Sequence, residues 1–122
     1  MDWVMANFVE EVYVYEDITG KITDKARYVW EQLMECVDTS VLGIQLDSLY
    51  YAKNLSEMIG ETIPASILTA LIKRGLLHCD GKVDGLNVYV ITTEIYDYYK
   101  NTYMPTKERY KADLNGHFSR KG

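Results

Sequence analysis

A chain of 122 residues with 48% hydrophobic and 25% charged side chains is one domain's worth of protein, able to bury a core without disulfide or metal staples. Its formal net charge of −5 on its own argues against a nucleic-acid partner, and no apolar run approaches the roughly 18–20 residues of a membrane helix. The opening Met1-Asp2-Trp3-Val4-Met5-Ala6-Asn7 has neither the basic start nor the apolar stretch of a signal peptide, so the expected location is the cytoplasm.

Residues 8–16, Phe-Val-Glu-Glu-Val-Tyr-Val-Tyr-Glu, are rich in Val and Tyr and alternate imperfectly, which predicts a strand. Asp17-Ile18-Thr19-Gly20 is a turn signal. Thr23 is a candidate N-cap, and Asp24 suits the positive end of a helix dipole. Apolar residues then recur at 26, 29, 30, 33, 34 and 37, the spacing of one helical face. That helix is expected to end near Asp38-Thr39-Ser40. Residues 41–47 read as a short extended segment. A second helix starts either at Asn54, with Glu57 completing a capping box, or earlier, near Ser48, and stops at Gly60. Pro64 opens a third helix. Ile67, Leu68, Leu71 and Ile72 supply its apolar positions, Lys73-Arg74 its last turn, and Gly75 its stop. Two glycine-containing turn signals, around Gly81 and Gly85, mark a hairpin whose returning strand is the alternating run 86–91. Thr92-Thr93-Glu94 caps a last helix through Tyr99 or beyond, which Pro105 is expected to interrupt.

Charge and aromatics are unevenly distributed. Residues 1–50 carry −7, residues 51–99 carry −2 and residues 100–122 carry +4. The chain is acidic in front and basic at its tail, where Lys107, Arg109, Lys111, Arg120 and Lys121 interleave with Tyr103, Tyr110 and Phe118. Such a tail can contact phosphates or an acidic partner, or it can be a solvated extension. The 11 tyrosines against 2 phenylalanines suit binding or subunit surfaces as well as half-exposed core edges.

Signals for catalysis and metal are weak. Cys36 and Cys79 read as small buried hydrophobes of a reducing compartment, although a disulfide between them is compatible with their number. His78 and Cys79 are adjacent, so on a strand they point to opposite faces and cannot form a nucleophile–base pair. No Cys-x-x-Cys or His-x-x-x-His spacing supplies a zinc site. The expectation is a non-enzyme with no cofactor and no metal.

The element order is helix, short strand, two helices, hairpin, helix. The third helix ends Leu71-Ile72-Lys73-Arg74-Gly75-Leu76-Leu77 and runs directly into the hairpin with Asp, Gly and Lys at its tip. This resembles the winged helix-turn-helix superfamily, including MarR-like regulators and small phage-encoded relatives, over about residues 22–99. The resemblance implies an α+β fold with an N-terminal strand or arm (1–21), a winged-helix domain (22–99) and a helical, basic C-terminal extension (100–122). Residues 65–77 correspond to a recognition helix plus the start of the wing, and residues 79–87 to the wing. A helix fits the major groove while a wing reaches a neighbouring groove or the phosphates. The implied DNA-binding residues are Thr62, Ser66, Thr69 and Ala70 on the outward side, Lys73 and Arg74 for phosphates, and Lys82 and Asn87 from the wing, with tail contacts from Lys107, Arg109, Lys111, Arg120 and Lys121. The first two turns of the recognition helix hold no Arg, Asn or Gln, the side chains that read guanine and adenine best.

Two functions follow. One is a homodimeric transcription regulator that binds double-stranded DNA. The alternative is an acidic winged-helix module of the phage-inhibitor or adaptor type, binding a protein partner without DNA; an outward-facing Ile67 would favour it. A structural subunit of a larger assembly is a third reading.

Overall fold

The computed structural model describes residues 22–37 and 43–109. The expected N-terminal strand or arm, the turn at 17–20 and the tail residues Lys111, Arg120 and Lys121 lie outside them. Residues Ile22–Asp97 form one compact unit, and the described residues from Tyr98 onward belong to a second.

The first unit is α+β. In chain order it holds α1 (Asp24–Glu35), β1 (Tyr50–Tyr51), α2 (Ala52–Ile59), α3 (Ala65–Lys73), β2 (His78–Val83), β3 (Leu86–Val90) and the start of α4 (Thr93–Tyr98). The strands make an antiparallel sheet in the order β1-β3-β2. The Thr23 hydroxyl accepts a hydrogen bond from the Ala26 amide at 3.1 Å, which is the N-cap the sequence predicts. All six apolar positions of the α1 stripe, including Val37 just past it, are buried. The helix stops at Glu35, short of 38–40, because the Cys36 carbonyl leaves the helix to accept from the Ile44 amide at 2.9 Å. That bond belongs to a bridge pairing Val37 with Ile44.

The second helix departs from the expected capping box. It starts at Ala52 with Tyr51 at the cap, and Asn54 is its third residue rather than its cap. The Asn54 side-chain oxygen accepts from the Tyr51 amide at 3.0 Å, the returning half of a capping box. Tyr50 and Tyr51 are not helical, as a start near Ser48 would make them. They pair with Tyr89 and Val88 of β3, since aromatic residues fit a pleated, half-buried surface well.

Ser56 organises the turn between α2 and α3. Its carbonyl accepts from the Gly60 and Glu61 amides, and its hydroxyl accepts from the Ile63 amide at 3.0 Å. Pro64 caps α3, which buries Ile67, Leu68 and Leu71. At its other end the Leu76 amide reaches back to the Leu71 carbonyl (2.9 Å) and the Gly75 amide to Ile72 (3.0 Å), a Schellman closure. It requires the left-handed backbone that Gly75 adopts at φ 72°.

Two tertiary contacts, three hydrogen bonds in all, fix the frame. The indole N–H of the fully buried Trp30 donates to the Leu76 carbonyl at 2.9 Å, tying α1 to the junction of α3 and β2. Asp47 holds a left-handed backbone (φ 63°), and its carboxylate accepts from the amide and hydroxyl of Thr93 at 3.2 and 2.6 Å. It thereby pins the start of α4, whose Thr92 hydroxyl caps Ile95.

In the second unit the helix does not break at Pro105. Tyr99–Tyr103 form one π-helical turn, closed by the Met104 amide on the Tyr99 carbonyl, and residues 104–109 continue as helix. A proline lacks the amide and crowds the carbonyl four residues back; the wider turn directly before it accommodates that defect. Tyr99 and Tyr103 are buried and stack at 5.9 Å between ring centroids.

Trp30→Phe removes the indole donor and leaves the buried Leu76 carbonyl unpaired beside a small void. The expected loss is about 2–4 kcal/mol, read as a lower midpoint in urea unfolding. Unchanged stability would show that the indole bond does not hold α3 and the hairpin to α1.

Candidate nucleic-acid interface

The stripe on α3 opposite the buried Ile67, Leu68 and Leu71 is polar. Ser66, Thr69 and Lys73 recur at helical spacing along it, with Thr62 before the helix and Arg74 at its end. All five are exposed, and Ala70 beside them is half-buried. Ile67 points into the core at 9% exposure, while Ile72, three residues after Thr69, is half-buried. Lys73, Arg74 and Lys82 form no ion pair among the described residues.

The β2–β3 hairpin has two chemically distinct faces. Its tip is the two-residue turn Asp84-Gly85, both residues with positive φ (52° and 80°), the geometry that matches strand twist and favours Asp-Gly. Lys82 pairs with Asn87 on one rung and Val83 with Leu86 on the next, so the two pairs point to opposite sides of the ribbon. Lys82 and Asn87 are exposed. Val83 and Leu86 are also exposed, at 40% and 60%. The register shifts between Cys79 and Lys82, where Asp80 and Gly81 form an irregularity; Gly81 is thus part of a bulge rather than of the turn.

The acidic residue closest in sequence to the α3 stripe is neutralised. Glu61 accepts from Lys25 at 2.5 Å and from the Tyr28 hydroxyl, and Lys25 also lies 5.2 Å from the centre of the Tyr28 ring. These partners on α1 hold the Glu61 carboxyl below its ordinary range, Lys25 contributing most. Glu61 in turn raises the Tyr28 phenol above its ordinary value. The sequence shows each of these residues but not their meeting, which depends on α1 packing beside the α2–α3 turn.

The remaining candidates are dispersed. Lys107 and Arg109 lie on the helical stretch 104–109, half-buried and exposed respectively. His78 sits 3.4 Å from Asp80 on β2. Cys36 and Cys79 are free thiols; the Cys36 thiol donates to the Met58 carbonyl at 3.5 Å, and burial pushes its pKa up. Among the described residues no group of His, Cys, Asp and Glu is placed to hold a metal ion, and no helix is long and apolar enough to cross a membrane. The exposed pair Val83–Leu86 escapes a reading of the sequence, although both residues flank an Asp-Gly turn signal that sets them opposite each other. Comparison with protein-family models, curated proteins and solved structures finds no match to this chain.

Because the carboxylate of Glu61 is stabilised in the folded chain, its contribution to stability is present above the unfolded carboxyl pKa of about 4.3 and is lost as pH falls through the lower folded value. An NMR titration of the Glu61 side chain should give a midpoint below that of a free glutamate, shifted upward in Lys25→Met. An ordinary midpoint that Lys25→Met leaves unchanged would contradict the pairing.

Proposed function

We propose that residues 22–97 are a winged-helix module that binds duplex DNA as a non-catalytic transcription regulator, with α3 as recognition helix and the β2–β3 hairpin as wing. The observation that carries this reading is the free polar stripe of α3. Thr62, Ser66 and Thr69 offer hydroxyls to phosphates and base edges, and Lys73 and Arg74 supply cations. Lys82 and Asn87 add a wing contact from one face of the ribbon. The burial of Ile67 and the pairing of Glu61 with Lys25 favour the same partner: the residue whose outward position would have suited a protein groove points inward, and the carboxylate next to Thr62 in sequence is already paired. With no Arg, Asn or Gln at the start of α3, affinity rests on phosphates and groove shape more than on base identity. In this reading the protein works in the cytoplasm.

A second reading, the protein-binding module, draws support from a different place: the exposed apolar pair Val83–Leu86, near the carboxylates Asp80 and Asp84 at the hairpin end. It leaves the α3 stripe without a role.

The test is binding of a random-sequence duplex at several salt concentrations. Each phosphate that the protein ceases to neutralise reduces the slope of log K against log salt by about 0.9. Lys73→Ala with Arg74→Ala should therefore weaken binding and flatten the slope by about 2 in total, with the circular dichroism unchanged. Affinity and slope unaltered by the double substitution would overturn the proposal.

A further inference from the structure

We propose that the hairpin end seats the basic C-terminal segment, residues 110–122, of a second copy of this chain, exchanged reciprocally so that two chains close into a dimer. Exposed hydrophobic residues scattered singly need no explanation. Val83 and Leu86 are different, because they are cross-strand partners on one rung and together form a single apolar spot. The last turn beyond them carries Asp84, the bulge before them carries Asp80, and both are exposed. Lys82, the cation of this ribbon, lies on the opposite face with Asn87. The spot therefore suits an apolar anchor accompanied by positive charge.

Residues 110–122 supply that combination. They hold Tyr110 and Phe118 with Lys111, Arg120 and Lys121 against a single acid, Asp113. Aromatic anchors with cations beside them are the residues that concentrate binding energy at small interfaces, and opposite charges steer and register the contact. A second copy brings this segment into every solution of the protein. Mutual exchange gives a closed two-fold pair rather than an open chain of subunits. The use of opposite faces lets the ribbon hold the tail on the Val83–Leu86 side while Lys82 and Asn87 remain turned outward. Tail exchange does not depend on DNA binding, and its test contains no DNA.

Sedimentation equilibrium of the full chain, at low and high salt, reads the association directly. The expected result is a concentration-dependent dimer that weakens as salt rises. Leu86→Glu and, in a separate chain, Lys111→Glu with Arg120→Glu and Lys121→Glu should each weaken it by about tenfold or more, with circular dichroism unchanged. A charge-exchange pair extends the test: a chain with Asp80→Lys and Asp84→Lys should associate with the chain carrying the three tail glutamates better than either does with itself. A monomer at every concentration, a dimer indifferent to Leu86→Glu, a dimer indifferent to the tail substitutions, or a charge-exchanged pair that does not associate would overturn the proposal.

Discussion

The hydrogen bond from the Trp30 indole to the Leu76 carbonyl is the constraint on which the candidate interface rests. Leu76 is the second residue beyond the C-cap of α3 and lies two residues before β2, so one buried contact fixes where the helix stops and where the hairpin departs. The same residue closes the Schellman turn through its amide. Its amide and carbonyl are thus both engaged, one by the helix it follows and the other by α1. A buried carbonyl must find a partner, and the indole of a fully buried tryptophan needs an acceptor in turn. The two requirements satisfy each other and tie the end of α3 to α1.

Once α3 is held by Ile67, Leu68 and Leu71, its other side faces outward, and the residues there are hydroxyls and cations. The chain is acidic on balance, yet the carboxylate adjoining this stripe, Glu61, is drawn to Lys25 and Tyr28 on α1. Local charge, rather than net charge, therefore decides what the surface can meet. The hairpin divides its chemistry by the alternation of a strand: polar Lys82 and Asn87 on one side, apolar Val83 and Leu86 on the other. The two faces of one ribbon therefore differ in chemistry.

The helices are legible in the sequence because their signals are local. The Thr23 cap, the apolar stripe of α1, the proline at the start of α3 and the Gly75 stop each act within a few residues, and each stands where the sequence places it; of the two glycine-containing turn signals, only Asp84-Gly85 is the turn, and Gly81 lies in a bulge. The α+β class and the exposure of Thr62, Ser66, Thr69, Lys73, Arg74, Lys82 and Asn87 follow from the same periodicities. What the sequence hides is tertiary in origin. Tyr50 and Tyr51 are a strand because β3 offers a free edge, not because of their own spacing. Asn54 moves from cap to third residue once that strand fixes the helix start. Asp47 takes a left-handed backbone to reach Thr93, 46 residues away, and no local pattern announces it. Pro105 reads as a stop only while the π-helical turn that makes room for it is out of sight. Glu61 belongs to the same class, since its neutralisation needs residues from another helix.

Mapping backbone amide shifts while a short random-sequence duplex is titrated into the full chain tests the central claim most directly. Shifts are expected to concentrate at Thr62, Ser66, Thr69, Lys73 and Arg74, with a smaller set at Lys82 and Asn87, while Val29, Trp30 and Leu33 within α1 stay in place. An absence of shifts, or shifts that avoid α3 and gather elsewhere on the molecule, would contradict it.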